Sequence, residues 1–225
     1  MPHRLRAHYP GKPNSPSLQT AYLIICNAHK AASSFLKQFE DIRRLRLAKG
    51  TPTDGEQDLL RAMLSFACAG LDAMVKQLVR DALAMVIARD EGATAMFVQR
   101  TRKTIYRDGV LNAELLTQAI VHGSPRDVLV DDLKRELTAN SLQSVDELLR
   151  VAAYFNIPSR DIVKEPRDLK AVFDARNQIA HEMDIDFDQP NRHRYPRARD
   201  DMIAHTNRVL LLAKTFLEMV ENKLA

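Results

Sequence analysis

A single run between residues 56 and 90 constrains this chain most. Leu60, Leu64, Ala67, Leu71, Met74, Leu78, Ala82 and Met85 recur at alternating steps of three and four. That spacing draws one apolar stripe along a helix of 3.6 residues per turn, whereas a strand would alternate with period two. It predicts a long helix over 56–90, opened by the capping-box sequence Thr53-Asp54-Gly55-Glu56 and ended by Gly92. The methionines of this helix, Met63, Met74 and Met85, read as core or dimer packing rather than a cofactor site.

The rest of the chain has the same period. A first helix over about 17–49 places Tyr22, Ile25, Ala28, Ala32, Phe35 and Phe39 on one face. Arg43, Arg44, Arg46 and Lys49 gather at its end, where cations suit the helix dipole, and Gly50 and Pro52 stop it. Shorter helices are expected at about 94–107, at 112–122 behind Asn112, and at 125–139 behind Ser124. Another is expected at 144–155 behind a second capping box, Ser144-Val145-Asp146-Glu147. Asn156-Ile157-Pro158 breaks the chain, Pro166 opens a helix running to about Glu182, and a final amphipathic helix spans about 200–223. Seven glycines in 225 residues are too few for a turn-rich sandwich or barrel. The expected fold class is therefore all-α: a helical bundle with two long N-terminal helices, forming one domain over 17–225 behind a basic flexible tail at 1–16.

No uninterrupted apolar run reaches the roughly 18 residues of a membrane span, and the basic N-terminus lacks the apolar stretch of a secretory signal. Neither a membrane partner nor export is expected. Cys26 and Cys68 lack paired spacing and read as buried thiols of a reducing compartment, the cytoplasm. The net charge is only +4, but residues 1–50 hold nine Lys/Arg against two acids. A local excess of that kind could meet phosphate, although such arms are often simply solvated.

The stretch richest in chemistry runs from Leu169 to Glu182. Leu169, Val172, Phe173, Ile179 and Ala180 form an apolar stripe, and Arg176 falls near its middle. A cation there must reach out along its stem, pair with an acid, or serve an anionic ligand. Asn177 and His181, four residues apart, share the edge beside the stripe. An imidazole that exchanges protons near neutral pH, next to a guanidinium that holds phosphate, suits phosphodiester chemistry. The same spacing also fits a structural ion pair and a surface histidine.

Arg176-Asn177-Gln178-Ile179-Ala180-His181 resembles the Arg-x(4–6)-His signature of the HEPN superfamily, with the Asn that often follows the Arg. The sequence is similar to the branch called RiboL-PSP-HEPN, over about 56–220 in helix order. Ser65–Lys76 is a weaker match to the long early helix of that family, with Asp72 as its acid. The resemblance implies a homodimer whose two motifs meet in one cleft. It also implies metal-independent RNA cleavage by the 2′-hydroxyl, with no cofactor, in a defence or toxin–antitoxin setting under an antitoxin or regulatory protein. His181 would be the general acid or base, Arg176 the phosphate clamp, Asn177 an orienting residue and Asp72 the acid that positions Arg176. The alternative is a non-catalytic helical dimer that binds RNA or a partner protein. On a straight helix Arg176 and His181 lie about 140° apart. Convergence on one phosphate then requires long side chains, a distorted helix end, or two subunits.

Two further segments invite ligands. Asp184-Ile185-Asp186-Phe187-Asp188 resembles the start of a calcium loop, but position six is Gln189 and position twelve is Tyr195. With His181 and His193 nearby it could hold a transition metal, yet a solvated acidic loop is the expectation, and no metal is assigned. Arg192, Arg194, Tyr195, Arg197 and Arg199 follow directly, cations with an aromatic that could track and stack RNA or else pair with the acids just before them.

Overall fold

The structure, a computed structural model, describes residues 5, 9–107, 110–163 and 165–225. Among these are ten helices: α1 (Gln19–Leu45), α2 (Asp54–Asp81), α3 (Leu83–Arg89), α4 (Glu91–Ile105), α5 (Ala113–Val121), α6 (Pro125–Ala139), α7 (Val145–Tyr154), α8 (Ser159–Ile162), α9 (Pro166–His181) and α10 (Arg199–Leu224). A two-residue hairpin, β1 (Tyr106–Arg107) with β2 (Val110–Leu111), is the only sheet among them. The all-α expectation stands.

α2 is the central helix. Its Thr53 side chain accepts from the Glu56 N–H while Glu56 reaches back to the Thr53 N–H, satisfying two donors that a helix start leaves open. Leu60, Leu64, Ala67, Leu71, Met74 and Leu78 are fully buried, and so are Cys68, Val75 and Val79 on the adjoining face. Two neighbours cover those faces. α1 runs antiparallel to α2, with Arg43 on Glu56 at one end, Phe35 on Phe66 farther along and Ala28 against Gly70 in the middle. α10 runs alongside, tied near its start by Arg199 to Glu40 and at its end by Lys223 to Asp90. α2 is long and apolar enough to cross a membrane by length and composition, but more than half of that window lies inside the bundle.

Several boundaries differ from the sequence expectation. The 56–90 helix divides at Ala82, whose φ of −112° tilts the chain. The turn lets α3 bury Leu83, Val86 and Ile87 while Met85 points outward. Gly92 does not end a helix but lies in the first turn of α4, which Asp90 caps by accepting from the Ala93 N–H at 2.9 Å. α1 stops at Leu45, before the left-handed Leu47 and Gly50. The hairpin and the one-turn α8 are too short to carry a period.

The described part of the expected tail is laid on the bundle. The Tyr9 ring sits 4.1 Å from that of His29, Pro10 and Pro13 are buried, and the Asn14 N–H donates to Glu221 at 2.8 Å. The rest of the 1–16 segment, apart from Leu5, lies outside the described residues. Both cysteines are buried and free of disulfide, and burial pushes the Cys68 thiol up to about 12.

Candidate functional site

α9 begins with Pro166 in its first turn and buries Leu169, Val172, Phe173 and Ala175. Ile179 packs half-buried on the core, whereas Ala180, expected in the stripe, is exposed. The last turn is thus less covered than those before it, and that turn carries the site. Arg176 is half-buried and close enough to Cys68 of α2 to act electrostatically on the thiol. From there its guanidinium reaches the helix edge. Nη1 donates to Asn177 Oδ1 at 3.0 Å and lies 3.4 Å from His181 Nε2. Donation to Nε2 requires a lone pair there, which places the proton of the neutral ring on Nδ1. Asn177 and His181 are exposed. The long Arg176 side chain closes the 140° gap within one chain, so this convergence needs no second subunit.

Asp72 does not join them. Its Oδ1 accepts from the Leu142 N–H at 2.7 Å and its Oδ2 pairs with Lys76 at 3.1 Å. It therefore anchors the loop before α7, and the expectation that it positions Arg176 is corrected. The reason is geometric: the Asp72 carboxylate is already engaged by the Leu142 N–H and by Lys76.

The arginine-rich segment also differs from a free basic surface. Arg194 pairs with Asp58 of α2 at 2.8 Å and donates to the Met183 carbonyl at 3.2 Å. Arg197 grips the Asp184 carboxylate and donates to Gln178 Oε1 at 2.8 Å. Arg199 pairs with Glu40 and Asp200. Tyr195 donates its hydroxyl to Asp186 at 3.2 Å. Arg192 is exposed, 6.0 Å over the Phe187 ring. Three of the four arginines thus turn toward acids of their own chain, partly the acidic run and partly α1 and α2.

Behind His181 lies a buried charge cluster that the sequence reading did not anticipate. Arg61, 3% exposed, donates through Nε to Asp184, which is 0% exposed, at 2.6 Å. It also donates to Asp58 at 3.0 Å and to the Tyr195 carbonyl at 3.0 Å. Burial pushes the Asp184 carboxyl up, but the Arg197 and Arg61 guanidiniums outweigh it and hold the group below the usual carboxylate range. Asp184 is therefore committed to cations, and among the described residues no group of three or more His, Cys, Asp or Glu side chains gathers to hold a metal ion. Arg61 could have been found by the signal that flagged Arg176. It lies seven and fourteen residues before the buried Cys68 and Val75, a cation on an apolar face.

Cavities lie both away from these residues and among them. A cleft of about 1130 Å³ between α4, the hairpin and α7 is lined by Arg100, Lys103, Tyr106, Asn112, Glu136 and Tyr154, and includes none of the site residues. A smaller one, about 260 Å³, lies within the 186–196 loop. No family model matches the chain, and neither the curated proteins nor the solved structures give a match.

Proposed function

We propose that this protein is an RNA endonuclease of the HEPN type, cleaving without a metal ion. We further propose that it acts as a homodimer, in a defence or toxin–antitoxin setting, under the restraint of an antitoxin or regulatory protein. The supporting observation is the meeting of Arg176, Asn177 and His181 on one exposed helix edge, with Arg176 Nη1 3.4 Å from His181 Nε2. In the reaction a 2′-hydroxyl gives up its proton and its oxygen attacks the adjacent phosphorus. The bond from phosphorus to the 5′-oxygen then breaks and that oxygen takes up a proton, leaving a 2′,3′-cyclic phosphate and a 5′-hydroxyl. His181 handles one of the two protons near neutral pH. Arg176 offsets the charge that builds on the phosphate oxygens, and Asn177 holds the guanidinium by accepting from Nη1. The second motif of the dimer supplies the group for the other proton.

The test is RNA cleavage by the purified protein in chelator, with product ends identified. Loss of the acid–base group in His181→Ala should slow cleavage by about 10²–10⁴-fold. Wild-type rates from both His181→Ala and Arg176→Ala would refute the site. A second reading, a non-catalytic dimer that binds RNA or a partner protein, is favoured by the outward aliphatic side chains of Val110, Leu111, Ile120 and Val121. Such a module would show no cleavage and would keep its affinity in His181→Ala.

A further inference from the structure

The end of α9 is held in an unusual way. Helix α9 finishes at His181, and the next turn uses two consecutive left-handed residues, Met183 at φ 52° and Asp184 at φ 61°. Neither is glycine, and the left-handed region is disfavoured for a side chain such as that of Met183, so the surroundings must hold the turn. The surroundings do so through one carboxylate. The Glu182 and Asp184 N–H groups both donate to the Gln178 carbonyl, at 3.0 and 2.9 Å, which curls the chain back over the last turn. Arg197 then links the Asp184 carboxylate to the Gln178 side chain, so both ends of the curl are held by one guanidinium. Arg61 takes the same carboxylate from α2. His181 lies inside this curl, between Gln178 and Asp184.

The two halves of the candidate site are thereby referred to one helix. Arg176 acts electrostatically on Cys68 of α2, and the Asp184 knot stands on Arg61, seven residues earlier on the same face of α2. Seven residues are two turns, about 10.5 Å along the axis. Half of the residues of α2 are buried, so it fixes the Asp184 end firmly.

We propose that Asp184, clamped between Arg61 and Arg197, is a positioning residue that sets the His181 ring against Arg176. This rests on the nuclease reading only for its effect on rate; the effect on the ring is independent of it. Removing the charge leaves two guanidiniums facing an amide, frees the left-handed turn to relax, and lets His181 move relative to Arg176. A displacement of about 1 Å in a reacting group can cost about 10²-fold in rate.

The experiment uses full-length protein labelled with ¹⁵N-histidine, with His181 assigned from its absence in His181→Ala. At a pH where the ring is neutral, the wild type should show His181 with Nδ1 protonated and Nε2 bare. Asp184→Asn should shift these ring signals toward the tautomer mixture of a free histidine. RNA cleavage should fall about 10²-fold in kcat while RNA affinity stays within about twofold. Lys170→Ala, which removes an exposed ion pair with Asp174 on the same helix, should leave ring signals and cleavage unchanged. If Asp184→Asn does not fold, Arg197→Met decides, since it removes the guanidinium that joins Asp184 to Gln178 while Arg61 still pairs with the carboxylate. A folded variant with unaltered His181 ring signals overturns the proposal. A wild type that cuts no RNA refutes the nuclease reading instead, and the ring signals still decide the role of Asp184.

Discussion

Gly70 offers a test in which two ordinary effects oppose each other in sign. It lies in the interior of α2, where alanine is favoured over glycine by about 1 kcal/mol, so propensity alone makes Gly70→Ala stabilising. Packing says otherwise. A Cβ built at Gly70 falls 2.2 Å from the Ala28 Cβ and 3.6 Å from the Ala28 Cα on α1. Ordinary van der Waals contact begins at 3.4 Å, so the two helices must part by about 1.2 Å, and neither methyl can rotate away. Parting α1 from α2 loosens the most extensive interhelical contact of the fold, and gaps of 0.5–1 Å already forfeit a quarter to a half of each dispersion contact. Overpacking of this kind costs about 3 kcal/mol, leaving a net loss of about 2 kcal/mol and a Tm lower by about 4–8 °C. Ala28→Gly alone should also cost about 2 kcal/mol, from propensity and one lost buried methyl. The double variant exchanges the methyl between helices and should return to within about 1 kcal/mol of the wild type, far from additivity. Urea denaturation of the four proteins measures this. A neutral or stabilising Gly70→Ala, or an additive double variant, would refute the close approach of α1 and α2.

Other outcomes follow from the charges. Because the Asp184 carboxyl is held below its usual range, its pairing stabilises the fold fully above the unfolded-state value of about 4 and is lost as pH falls through the lower, folded-state value. The stability gap between wild type and Asp184→Asn, about 3 kcal/mol at pH 7, should therefore narrow below about pH 4 in urea titrations; a gap that is constant with pH contradicts the pairing. Arg197→Ala and Arg192→Ala should separate cleanly. The first should lower Tm by several degrees, because it leaves the buried Asp184 carboxylate to Arg61 alone. The second should leave Tm unchanged and, if RNA is bound there, make the salt dependence of RNA affinity shallower by roughly 0.7 in log–log slope. Equal melting temperatures for the two variants would count against the inward placement of Arg197.

What the sequence could show was what is local. α2, α6, α9 and α10 are legible because their apolar residues repeat every turn, and the starts of the first three are marked by Thr53, Ser124 and Pro166. The meeting of Arg176, Asn177 and His181 is likewise confined to six residues, so a motif could point to it. The break at Ala82 is not legible, since alanine is the best helix former and only the packing of α3 bends the chain there. Asp72 was misplaced for a similar reason: its partner, the Leu142 N–H, lies 70 residues away. The Arg61–Asp184 pair spans 123 residues and joins two segments that carry no shared local pattern. The sequence showed that an acidic run precedes a basic one near residue 190 but not which of these side chains would be drawn inside.

That distinction changes how the charge of this chain acts. The basic excess of residues 1–50 reads as a positive arm, yet Arg43 and Arg46 both close on Glu56, and Arg44 pairs with Asp41. In the loop after α9, Arg194 and Arg197 close on Asp58 and Asp184, and Arg61 joins them from beneath. These six arginines share four carboxylates, so the potential they project a Debye length away is that of an excess of two charges rather than six. What they can do is hold backbone where it would not otherwise stay, as at Met183 and Asp184. On the proposed nuclease reading this is the more useful task. Attraction to phosphate raises encounter for any nucleic acid, whereas the rate of the chemical step depends on where one imidazole stands relative to one guanidinium.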